Sequence, residues 1–199
     1  MLDCNKWTAD YILRENQLKN AIQVYRAMPY IKLSFVEAVH DAVCERKKEE
    51  VCINSGTNTN KKVFLELWKK NWCLKKSEDE GLYIYFECDK AWPDEGSTRV
   101  GIGRWDGGEL VKLARNNKQR QKVREAFGSA IGERLNVVVD VDGDGDEKEF
   151  YSTYTEKFYE ESDIVKRMAE ELVRLVDEMD GVLEETAGNA GEDAEEDDG

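Results

Sequence analysis

Apolar residues recur at helical spacing near the start of the chain. Tyr11, Leu18, Ile22 and Tyr25 share one stripe, widened by Ile12 and Ala21, with Thr8 placed to cap it. Pro29 predicts the end of this helix, because the residue before a proline is pushed out of the α region. A second helix is predicted to open at Ser34, where Ser34-Phe35-Val36-Glu37 has the spacing of a capping box. Phe35, Ala38, Val39, Ala42 and Val43 form its apolar face. His40 falls at the edge of that stripe and reads as a partly buried structural side chain.

Ser55 to Asn60 is polar and rich in Gly and Asn, hence a loop and the clearest boundary in the chain. Lys61–Trp72 fits either a helix or a strand. Leu82–Cys88 and Arg99–Trp105 are β-branched and aromatic without helical spacing, and read as antiparallel neighbours. Gly101 and Gly103 alternate with Val100, Ile102 and Arg104, leaving room for a bulky ring, Trp92 or Trp105, to lie across that face.

After an Asp106-Gly-Gly turn, Glu109–Phe127 reads as helical, with Gly128 placed as its C-terminal cap. Leu135–Val141 and Glu149–Thr155 pair as a hairpin across an acidic turn. Ser162 caps a long helix whose residues Ile164, Met168, Leu172, Leu175, Met179 and Val182 make a wide apolar stripe. Hairpins each followed by a helix predict an α+β fold: an antiparallel sheet of about four strands with helices packed on it, after two N-terminal helices. The implied segments are an N-terminal helical part at 1–54, an α+β domain at 61–186 and a disordered acidic tail at 187–199.

Charge is unevenly placed. Residues 61–139 hold 16 Lys/Arg and 12 Asp/Glu, whereas residues 140–199 hold 5 and 23. The formal net charge of −14 is therefore local to the C-terminal third, which suggests a charged partner. Ala187–Gly199 has acids but no base and no large apolar residue, too little to offset the entropy of ordering it. The hydrophobic share of 40% is too high for a wholly disordered chain. No apolar run reaches the ~20 residues of a membrane span, and the N-terminus lacks the pattern of a secretory signal. Five scattered cysteines without a CxxC argue against structural zinc and for reduced thiols in a cytoplasm.

Three constellations could carry chemistry. Asp140, Asp142, Asp144 and Gly145 match the first half of a calcium loop, but position 12 is Tyr151 and not a bidentate Glu. Asp146-Glu147-Lys148 resembles the D/E-x-K triplet of magnesium-dependent nucleases, yet stands beside a turn in a loop that is acidic throughout. Lys112, Arg115, Lys118, Arg120, Lys122 and Arg124 concentrate positive charge that fits phosphates, or equally the acidic C-terminal part of the same chain. With one histidine and no phosphate-cradling glycine loop, no catalytic residues, metal site or cofactor are assigned.

Trp68 and Trp72, then Leu82-Tyr-Ile-Tyr-Phe-Glu-Cys88, then Val100-Gly-Ile102 form a pattern spanning residues 68–103 of the 199. It resembles the region downstream of the catalytic core in bacterial PD-(D/E)XK nuclease-family proteins, where an aromatic strand precedes a Gly-Ile strand and a basic helix. The first 60 residues lack the acid–strand–acid-x-Lys order of that core. The resemblance therefore implies a free-standing accessory-type domain, and by analogy a setting in phages or mobile elements that act on host defence.

The expected function is a non-catalytic interaction module, a phage- or mobile-element-type inhibitor that engages a basic, nucleic-acid-binding protein. Its contact residues would be Asp142, Asp144, Asp146, Glu147, Glu192, Asp193, Glu195, Glu196, Asp197 and Asp198. A nucleic-acid-binding domain using the 112–124 cations, and a metal-dependent enzyme or calcium binder centred on the 140–148 acids, are the alternatives.

Overall fold

The computed structural model describes residues 13, 17–47, 51–57, 62–74, 80–93, 97–106, 109–110, 117–131, 137–138, 150–154 and 162–192. The chain divides into two compact units, Met1–Phe35 and Val36–Gly199. One helix, α1 (Leu18–Arg46), contributes to both and carries Pro29 inside it. The expected pair of N-terminal helices is thus a single helix. Proline removes only one amide donor and strains only its neighbour, a local cost of about 3 kcal/mol that 29 helical residues absorb. The Ser34 capping box lies in mid-helix, so its side chains have no free end to cap.

The second unit is built on an antiparallel sheet. Its strands are β1 (Cys52–Thr57), β2 (Val63–Trp68), β3 (Gly81–Cys88), β4 (Thr98–Asp106), β5 (Glu109–Leu110), β6 (Val137–Val138) and β7 (Phe150–Tyr154). The order is β1-β2-β3-β4-β7-β6, with β5 pairing β4. Five strands have five residues or more, one beyond the expected four. Of these, β1 and β2 lie outside the four expected strands, while the expected strand at 135–141 is described only as Val137–Val138; β1 takes in Ser55, Gly56 and Thr57 from the stretch read as a loop and pairs antiparallel with β2. The boundary expected between 54 and 61 therefore falls at a hairpin inside one sheet.

The ambiguous 61–72 stretch resolves as β2 followed by a 3₁₀ turn at Lys70–Trp72. The β3–β4 and β6–β7 pairings are antiparallel, as the sequence predicts. Glu109–Leu110 joins β4 as a strand, and α2 begins only at Asn117. It runs to Ile131, so Gly128 lies within it and not at its cap.

Register separates two sheet faces. Val63, Leu65, Leu67, Leu82, Ile84, Phe86, Val100, Ile102 and Tyr154 alternate onto one face and are buried. The closing helix α3 (Ile164–Glu192) packs against β3, the 3₁₀ turn and α2, burying Met168, Leu172, Leu175, Met179 and Leu183. Each such side chain contributes about 1.5–3 kcal/mol by leaving water. Helix α3 continues to Glu192 and buries Thr186 and Ala187, so order extends past the predicted start of the tail. Its stripe continues through Leu183 to Ala187, and the Gln119 amide donates to the Thr186 hydroxyl at 2.7 Å. Among the described residues no helix is long and apolar enough to cross a membrane.

Candidate functional site

Most of the sequence-predicted contact residues, Asp142, Asp144, Asp146, Glu147, Asp193, Glu195, Glu196, Asp197 and Asp198, lie outside the described residues. Glu192 is the last residue of α3. Lys112, Arg115 and the 140–148 constellations also lie outside. Of the basic stretch, Lys118, Arg120, Lys122 and Arg124 stand on α2, and Lys122 forms an ion pair with Glu185 of α3.

The acids of α3 that the structure describes are largely engaged within the chain. Lys47 Nζ meets Asp177 at 2.7 Å, and Arg174 bridges Glu171 and Glu178. Asp180 accepts from Lys69 Nζ at 2.6 Å, the Trp72 indole at 2.8 Å and Asn71 at 3.4 Å. Burial pushes the Asp180 carboxyl up, but these donors outweigh it and hold the group below the usual aspartate range. Such pairs tie the helices and the 3₁₀ turn together and leave less free charge than the sequence count suggests.

Three surfaces remain as candidates. The first is α1. Leu18, Ile22, Val24, Tyr25, Tyr30 and Ile31 are 41–79% exposed, Tyr25 the most and Ile22 the least. The sequence reads Leu18, Ile22 and Tyr25 as one apolar helical stripe; the structure leaves them 41–79% exposed. Spacing alone finds an apolar face but does not say what covers it.

The second is the other sheet face. Register brings Phe64, Glu66, Trp68, Tyr83, Tyr85, Arg99, Trp105 and Tyr151 onto it, over Gly101 and Gly103. Tyr83, not Trp92 or Trp105, lies across Gly103: a Cβ there would collide with the Tyr83 ring and hydroxyl. Tyr83 stacks on Trp105 with centroids 5.8 Å apart, and Arg99 sits 5.0 Å over Tyr151. Glu66 accepts from Asn54 Nδ2 at 3.1 Å and from the Trp105 side chain. Burial nevertheless raises its carboxyl above the ordinary glutamate range. Tyr83 and Tyr85 are buried, so this face is a packed aromatic layer and not an open platform.

The third is a cavity of about 270 Å³ lined by His40, Cys44, Glu45, Lys47, Val51 and Ile53. Cys44 Sγ lies 3.6 Å from His40 Nε2, and His40 Nδ1 lies 3.0 Å from Asp41 Oδ1. This acid–imidazole–thiol row has the order of a nucleophilic triad but not its electrostatics. Burial first, then Asp41, raises the Cys44 thiol, which keeps it protonated at neutral pH. Asp41 is 79% exposed and adjacent in sequence, so it does not lock the imidazole as a buried carboxylate would. The sequence signal was present in the four-residue step from His40 to Cys44, one helical turn. Among the described residues no group of three or more His, Cys, Asp or Glu side chains could hold a metal.

No protein-family model, curated protein or solved structure matches this chain.

Proposed function

We propose that this chain is a non-catalytic interaction protein that docks a protein partner through the exposed apolar side chains of α1. One observation carries this: six large apolar residues within Leu18–Ile31 stand 41–79% exposed on one helix. Of these, Leu18, Ile22 and Tyr25 fall on one face at 3.6 residues per turn; large apolar side chains grouped in water are a mark of a covered surface, and each residue so covered contributes on the order of 1.5–3 kcal/mol. The helix is already formed, so docking does not incur the cost of folding it.

A second contact, by the acids of residues 140–199 on a basic protein, draws support from their 23 Asp/Glu against 5 Lys/Arg. The likeness of residues 68–103 to nuclease accessory regions favours a host nucleic-acid-binding protein as that target. The test is co-purification from source lysate of the wild-type chain and of the double variant Ile22→Asp/Tyr25→Asp. Loss of the partner with an unchanged melting temperature supports docking through α1. Retention by the double variant, with loss on neutralising Asp142, Asp144 and Asp146, transfers the contact to the acids.

A further inference from the structure

We infer that β1 is a surface at which two copies of this chain join their sheets edge to edge. In the strand order β1 is terminal: it pairs β2 on one side, and among the described residues nothing hydrogen-bonds its other side. Such an edge presents a row of amide N–H and carbonyl groups that a further strand can take up. Proteins that keep an edge single place lysine, proline or a bulge on it. Strand β1 has none of these. Its six residues pair with β2 in unbroken register, and residues 51–60 hold no proline and no charged side chain. Asn54, Ser55 and Thr57 are exposed.

The observations favour a second copy over a foreign strand. Strand addition draws affinity from the backbone and selectivity from pockets that take alternate side chains. The exposed residues of β1 are small and polar, so they form no pocket to select a foreign sequence, yet they let two identical backbones approach. A two-fold axis makes the two β1 strands antiparallel, as every other pair in this sheet is. Centred on Asn54, the pairing sets Ile53 opposite Ser55 of the second copy and Cys52 opposite its Gly56; centred on Ser55, it sets Ile53 opposite Thr57. Neither register opposes like charges. The net charge of −14 lies elsewhere in the chain. Strands β6 and β7, which flank the acids of 140–149, stand toward the opposite edge, with β7 four strand spacings, or about 19 Å, from β1. That is over twice the Debye length of about 8 Å at physiological salt, so repulsion weakens the contact without forbidding it.

The experiment is sedimentation velocity on the full-length chain, with its thiols kept reduced, from about 5 µM to about 1 mM. One strand edge is smaller than a standard interface of roughly 1,600 Å², so the expected result is a reversible dimer with Kd on the order of 100 µM. Raising salt from about 0.05 to about 0.5 M should tighten it, because screening removes like-charge repulsion between the copies. Ser55→Lys/Thr57→Lys should weaken it roughly tenfold or more, although it lowers the net negative charge, with the melting temperature unchanged. Hydrogen exchange gives a second readout on the unaltered chain. Alternate amides of β1 should exchange more slowly at about 500 µM than at about 5 µM, while those of β3 stay the same. A chain that is monomeric up to about 1 mM would overturn the inference. So would a dimer that tolerates both lysines, a dimer that salt weakens, or one in which β1 amides exchange at the monomer's rate.

Discussion

At the scale of single residues, three carboxyl and thiol environments make opposite demands. Asp180 is held ionised by Lys69, Trp72 and Asn71, so its contribution is complete above the ordinary aspartate pKa and is lost as pH falls through its lower folded value. Asp180→Asn should destabilise the chain by about 1–3 kcal/mol at neutral pH, and the difference should vanish in acid, as read by urea unfolding at several pH values. Glu66 has the reverse sign. Burial raises its folded pKa, so stability falls as pH rises from the ordinary glutamate value through the folded one. Glu66→Gln should be neutral or stabilising at pH 7 and indistinguishable from wild type below that window. Cys44, raised by burial and by Asp41, should alkylate more slowly than an unperturbed thiol at pH 7.5, with its rate still climbing above the ordinary thiol range. Rapid labelling at pH 7 would show a thiolate and reopen the nucleophilic reading of the His40 cavity.

At the scale of elements, legibility followed how local each signal was. Strands β3 and β4 were plain because runs buried on both faces lack helical spacing, and α3 was plain because its stripe recurs for seven turns. Helix α1 was split in two because Pro29 and the Ser34 box are local signals, and continuity of a long helix overrides both. Strand β1 was missed because Asn, Ser and Gly have little β preference; its pairing with β2 makes it a strand. The glycines of β4 were read correctly as bare ground, but Tyr83 is the ring that fills it, since only the register names the residue opposite Gly103. Gly103→Val should push Tyr83 off Trp105 and lower stability by about 1–3 kcal/mol in denaturant unfolding, whereas substitution at the open Gly181 should not show that steric loss.

At the scale of the whole chain, composition located charge but not its use. The sequence counts 23 acids after residue 139, yet Asp177, Asp180, Glu171, Glu178 and Glu185 meet cations of the same chain. Apolar spacing likewise marked Leu18, Ile22 and Tyr25 without revealing that they face water. The paired acids are not those expected to make the contact at 142–147 and 192–198; the exposure of Leu18, Ile22 and Tyr25 sets α1 beside them as a candidate surface. The most direct measurement is hydroxyl-radical footprinting of the chain alone and in complex with its co-purified partner, read at Tyr25 and Tyr30, which are 79% and 73% exposed in the free chain. Docking through α1 predicts strong protection of both tyrosines, with labelling of Trp68 and Trp105 unchanged. Full labelling of Tyr25 and Tyr30 in the complex, with protection appearing elsewhere, would contradict it.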